Sequence, residues 1–205
     1  MSLRLNKYIK ELRKEAHRFE RTDINNSESQ TFWGRNQRRI ICVISSVIIF
    51  LCMHKGFNPN FVAYASTAIS ILIGFFTTAI IFILDKYKPI DTENFTSREK
   101  LWDIQAYNYT KQFSYIIGYN IVLCVFTLVL LSFNALFEDF FSTNIWEYGF
   151  CFKIINTENL SNSLILTVVI AQRILVLYWL ASIVYNTLYA ISSMVKYMIV
   201  KIDRQ

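Results

Sequence analysis

Arg173 is the residue of this chain best placed to do chemistry, because it lies inside a long apolar run. From Ser163 to Tyr185 it is the only charged residue, and it falls roughly 15 Å in from Ser163 at ~1.5 Å per helical residue. That depth approaches the midplane of a ~30 Å hydrocarbon layer. A guanidinium there costs at least ~2.5 kcal/mol, so it is expected to face protein, a partner or water. Gln172 precedes it, and no Asp or Glu lies in any apolar run. Three roles are open: a pore lining, gate or inter-subunit lock; a buried group bonded to carbonyls or hydroxyls of a neighbouring helix; or a shifted register in which Arg173 snorkels outward. Asn120, Ser132 and Asn134 on the preceding run are candidate partners. If one chain offers few such partners, a closed homo-oligomer supplies more.

Other chemistry is poorly represented. The two histidines, His17 and His54, belong to segments on opposite sides of the membrane in the topology argued below, and no HExxH, GxSxG, Walker or CxxC pattern occurs. Cys42, Cys52 and Cys124 lie in apolar runs as small apolar side chains, and Cys151 alone lies outside them. An enzyme is therefore not expected, nor a catalytic residue, cofactor or metal.

The elements that position Arg173 are membrane helices. Apolar residues make up 54% of the chain, mean hydropathy is +0.32, and the excess sits in Ile40–Met53, Val62–Leu84, Phe113–Phe137 and Leu164–Tyr185. The last three reach the ~20 residues a bilayer requires. The first is shorter and is expected to recruit Gln37–Arg39 by snorkelling. Nothing before it has the pattern of a cleaved signal peptide, so it is expected to be retained.

Charge orients the spans. Ten Lys/Arg precede the first span, five lie between Asp85 and Gln112, and three follow Tyr185, whereas the two other loops hold one each, Lys55 and Lys153. Eighteen against two places both termini and the 85–112 loop in the cytoplasm. The expected fold is all-α: an integral membrane four-helix bundle with an N-terminal amphipathic helix and cytoplasmic helical extensions. Its segments are a cytoplasmic helix and linker (1–36), a transmembrane hairpin (37–85), a cytoplasmic loop and helix (86–112), span three (113–137), an outer loop (138–162), span four (163–185) and a cytoplasmic helical tail (186–205).

Three surfaces follow. Ser66, Ser70, Gly74 and Thr78 form a small-residue stripe on span two, suited to close packing within one subunit, to self-association or to a polar pore wall. The N-terminal helix sets Leu5, Ile9, Leu12, Ala16 and Phe19 against Lys10, Arg13, Lys14 and Arg21, with Arg18 a further cation. With Lys196 and Lys201 these cations suit anionic lipid or a soluble partner, and packing on the chain's own extensions is the third reading. Interspersed glutamates make direct nucleic-acid binding unexpected. Outside, Trp146, Tyr148 and Phe150 alternate as in a short strand or an interfacial contact segment.

A short basic N-terminal helix, four spans, inward termini and about 200 residues resemble the membrane subunit of the bacterial Kiwa anti-phage defence system. The resemblance covers the whole chain through its architecture and carries over no site residue. It implies an oligomeric inner-membrane sensor and scaffold, a tetramer by preference, coupled inside the cell to a soluble DNA-binding subunit. Residues 38–88 also look like the two-span effectors of other defence systems, which depolarise membranes, so a pore-forming effector is the alternative.

Cysteine accessibility checks the topology. In intact cells, Asn58→Cys and Asn156→Cys should react with a membrane-impermeant thiol reagent. Labelling of Ser27→Cys or Thr92→Cys before the cells are broken would overturn the orientation.

Overall fold

The computed structural model describes residues 2–21, 32–86, 97–146 and 157–202. Every regular element among them is helical: α1 (Ser2–Arg21), α2 (Phe32–Cys52), α3 (Pro59–Lys86), α4 (Ser97–Leu136), α5 (Glu138–Phe141) and α6 (Thr157–Ile202). Tyr148 and Phe150, and with them the alternating segment, lie outside the described residues.

Three helices are long and apolar enough to cross a membrane: α3 over Pro59–Ile83, α4 over Ile104–Leu136 and α6 over Ser163–Lys196. The expected count was four. In α2 the arginines at 35, 38 and 39 occupy the first turns and leave only Ile40–Cys52 uncharged, a length of ~20 Å. The apolar parts of α4 and α6 run longer than expected, 33 and 34 residues, because no Gly-Pro signal interrupts either helix.

The chain folds into two compact units, and α3, α4 and α6 each contribute a segment to both. The first unit draws on Met1–Asn36, Leu72–Leu123 and Ile183–Gln205; the second on Gln37–Ile71 and Cys124–Ser182.

In the first unit α1 packs on α4. Ala16 is fully buried, the Phe19 ring lies 5.8 Å from that of Tyr115, and His17 meets Tyr119 edge to face at 5.2 Å. Gly118 makes the close approach possible: a Cβ there would sit 3.3 Å from Leu12 Cδ1. The end of α1 is tied by polar groups. Gln112 Nε2 and the Tyr189 hydroxyl both donate to Phe19 O, at 3.1 and 3.0 Å. This satisfies one of the four carbonyls that a helix C-terminus leaves open. Tyr8 and the charged Arg4, Lys7, Lys10, Arg13, Lys14 and Arg18 are exposed.

In the second unit α2 ends where Gly56 adopts φ +104°, a left-handed conformation that suits glycine. The next helix starts by the usual chemistry. Asn58 Oδ1 accepts from Asn60 N at 2.9 Å, and Pro59 takes the first helical position, where its missing N–H is harmless. Ile49, Ile145 and Leu166 form a small core, joined by Met53, Phe57 and Ile170.

Gly118→Val should force Leu12 outward and loosen α1, at about 1–3 kcal/mol for overpacking. Hydrogen exchange at residues 12–19 should rise while that of α6 is unchanged. Equal protection in wild type and variant would show that the notch at 118 does not seat α1.

Candidate functional site

The buried positions of α6 recur at intervals of three, four or seven residues: Leu166, Val169, Arg173, Val176, Ile183, Asn186, Ala190 and Ser193. This is one helical stripe, and Arg173 sits on it with no exposed surface. In an α-helix the side chain leans toward the N-terminus, so the guanidinium reaches back along α6 toward the two chain turns of the second unit.

There it is caged by backbone oxygen. Nη1 donates to His54 O at 2.8 Å and to Met53 O at 3.3 Å; Nη2 donates to Thr143 O at 2.6 Å and to Phe141 O at 2.7 Å. Met53 and His54 directly follow α2, while Phe141 ends α5 and Thr143 lies just beyond it. Such carbonyls lack helical partners and carry the negative end of the helix dipole. The planar fork of donors thus replaces a counter-ion with four oriented dipoles. The cage has further ties: Ile145 N donates to His54 O at 2.9 Å and Gly56 N to Met53 O at 3.1 Å. Gly56 belongs to the wall. A Cβ there would lie 2.8 Å from Phe141 O and 3.2 Å from Arg173 Nη2.

Three buried side-chain atoms find no hydrogen-bond partner among the described residues: Arg173 Nε, His54 Nδ1 and Gln172 Oε1. Gln172 uses its other end on α4, donating from Nε2 to Leu130 O at 3.5 Å.

The partners of Arg173 differ from those expected. Asn120, Ser132 and Asn134 do not bond it. Asn120 belongs to a polar cluster of the first unit. Its Nδ2 donates to Ile183 O and Thr187 Oγ1, both at 3.2 Å, and its Oδ1 accepts from Asn186 Nδ2 at 3.2 Å. The antiparallel pairing of α4 with α6 dictates this, since residue 120 matches 183–187 and residue 130 matches 172. The argument that Arg173 needs a second copy of the chain for partners also falls, because one chain supplies four.

Three of the four stripe residues face outward. Ser66 is half-buried, while Ser70, Gly74 and Thr78 are exposed, and a Cβ on Gly74 would meet nothing within 4 Å. The buried positions of α3, Ile69 and Phe76, lie on another face, and of the stripe only Ser66 is half-buried, lining a cleft with residues of α4. The stripe's hydroxyls turn back on their own helix, Ser70 Oγ to Ser66 O and Thr78 Oγ1 to Gly74 O, each at 2.9 Å. Trp146 is exposed and its N–H donates to Asn144 Oδ1 at 3.2 Å. Lys196 is exposed, and the Lys201 side chain lies outside the described residues.

Sequence reasoning missed His54, Gly56, Gln112, Asn186 and Tyr189. A usable signal existed for part of this set: Asn120, Thr127 and Asn134 recur every seven residues on α4, and all three are buried. Among the described residues no group of three or more metal-ligating side chains occurs. No protein-family model matches the chain, and neither any curated protein nor any solved structure matches it significantly.

Arg173→Leu would orphan Phe141 O and Thr143 O, which accept from no other group among the described residues, at about 1–3 kcal/mol each, so about 2–6 kcal/mol in all. Arg173→Lys should recover little, since one ammonium lacks the planar two-armed geometry. Gly56→Ala should resemble Arg173→Leu. Thermal unfolding in detergent measures all three, and a fully stable Arg173→Lys protein would refute the requirement for a fork.

Proposed function

We propose that the protein is a membrane-embedded scaffold that assembles with copies of itself and senses a disturbance of the bilayer, passing it to a soluble cytoplasmic partner. The observation that carries this reading is the cage around Arg173. A cation that lines a pore must keep donors and field free for passing ions. This guanidinium is fully buried and gives both terminal nitrogens to backbone carbonyls, which is the behaviour of a lock.

Support for assembly comes from α3, of whose apolar window only 11% is buried. Its outward Ser70, Gly74 and Thr78 allow close helix approach where lipid offers no hydrophobic drive. The proposed topology is four spans, with α2 as the first, in a bacterial inner membrane with both termini inside. In that orientation the amphipathic α1 presents its exposed cations to anionic lipid or to the partner, and α4 and α6 extend inward beside it. These features are in keeping with the resemblance to the Kiwa membrane subunit, and a defence role with a DNA-binding partner is the form of the proposal that resemblance favours.

Light scattering in nanodiscs should give a mass of several chains, reduced by Gly74→Leu. Expression of the wild type alone should leave the membrane potential intact, and a mild-detergent pull-down should recover a soluble subunit encoded nearby. A monomeric wild type rejects the assembly. A conductance whose selectivity reverses in Arg173→Glu rejects the lock in favour of a pore.

A further inference from the structure

The second unit holds a cleft of about 270 Å³ between the first turns of α3 and the α4–α5 junction. Phe57, Leu131 and Phe141 are among its apolar residues, and Ser66, Ser132, Asn134, Glu138 and Ser142 are its polar ones. The geometry points to a binding site for a phospholipid with a primary-amine headgroup, its ammonium on Glu138 and Asn134 and its upper acyl chain against the aromatic walls.

The chemistry of the lining selects that ligand. No residue lining the cleft is basic, so an anionic headgroup finds no cation there. What the cleft offers is acceptors. Asn134 is 94% buried, at 6% exposure; its Nδ2 makes a long 3.4 Å bond to Leu130 O, and its Oδ1 takes no hydrogen bond from the described chain. Glu138 is exposed at the rim and forms no ion pair among the described residues. A primary ammonium brings three N–H donors and a positive charge to these two oxygens. A quaternary ammonium brings the charge without donors.

Position selects an amphiphile over a soluble amine. Val62 and Ala63 on α3 and Leu131 and Ala135 on α4 line the cleft from the ends of two helices apolar enough to cross a membrane, and Glu138 lies two residues beyond the apolar part of α4. Exposed Tyr64, Phe133, Leu136 and Phe137 continue the apolar surface in the same segments, where the rest of a tail can lie. The site adjoins the arginine cage, because Phe141 lines the cleft and its carbonyl accepts from Arg173. The inference requires only that α3 and α4 meet lipid. It stands or falls separately from the assembly reading.

Lipid retention tests it. The full chain is reconstituted in nanodiscs holding equal parts of phosphatidylethanolamine, phosphatidylcholine and phosphatidylglycerol, re-extracted in mild detergent, and its retained lipid counted by mass spectrometry. Phosphatidylethanolamine should be enriched about tenfold over the other two, the worth of one charge-assisted bond. Glu138→Gln should abolish the enrichment, while Asp139→Asn, an exposed neighbour outside the cleft lining, should keep it. Ser66→Leu, which fills the cleft, should remove the bound lipid. Equal retention of the ethanolamine and choline lipids overturns the proposal, and so does preference for phosphatidylglycerol or an equal effect of Asp139→Asn. Cross-linking of two copies through Ser132→Cys in place of bound lipid also overturns it, by assigning the cleft to a second chain.

Discussion

A desolvated guanidinium that pairs with no carboxylate among the described residues is the constraint around which the second unit is arranged. In an apolar helix Arg173 must either reach water or have its charge offset by fixed dipoles. The chain uses dipoles, and takes them from turns whose carbonyls were themselves in need of donors. Each side removes the other's penalty. The cation is neutralised locally, and the segments after α2 and α5 are held to α6 without a regular element of their own. Irregular backbone of this kind is tolerated near lipid only when it is buried in protein. The cage therefore also explains the sharp turn at Gly56, where a side chain would occupy the space that the carbonyls and the guanidinium need.

The first unit applies the same rule with neutral groups. Asn120 and Asn186 join α4 to α6 by side chain and carbonyl, and Gln112 with Tyr189 closes on the last turn of α1. Each hydrogen bond of this type is worth only about 0.6–2 kcal/mol between helices in an apolar setting, yet it fixes register where apolar packing alone tolerates sliding. Polar residues on the seam thus specify which turn of α4 meets which turn of α6. The α1 contact adds a steric key, Leu12 in the notch at Gly118, to a polar one.

The helical class, the long apolar segments and the special status of Arg173 were legible because they depend on composition and on one residue's surroundings in sequence. The partners of Arg173 were not. Backbone carbonyls carry no residue signature, and whether a turn folds back on a helix depends on geometry that no local pattern encodes. Asn120 was grouped with Arg173 because both are polar in apolar runs, and only the pairing of α4 with α6 separates them. The heptad recurrence of Asn120, Thr127 and Asn134 was available and marks the buried face of α4. For α2, arginines that can snorkel also dilute the apolar run, so length and hydropathy leave it short of a span. On α3 small residues declared close packing, but nothing local says whether the neighbour is the same chain or another.

The contrast between cage and stripe bears on what kind of machine this chain can be. The strong polar interaction is spent internally, so it rigidifies one protomer and leaves little field for a passing ion. The outward surface of α3 is the opposite: apolar, with a small-residue stripe beside exposed Tyr64, Ile71, Phe75 and Phe82, its Ser70 and Thr78 hydroxyls bonded to their own helix, and so without strong directional preference. Interfaces of that sort are held by packing and respond to what surrounds them, including lipid identity and bilayer thickness. A chain held internally by dipoles, with an outward helix surface free to meet lipid, has the two properties that the proposed scaffold would need. Because Phe141 belongs both to the cage and to the neighbouring cleft, a change in what occupies that cleft has a short physical route to the arginine that helps hold the turns in place.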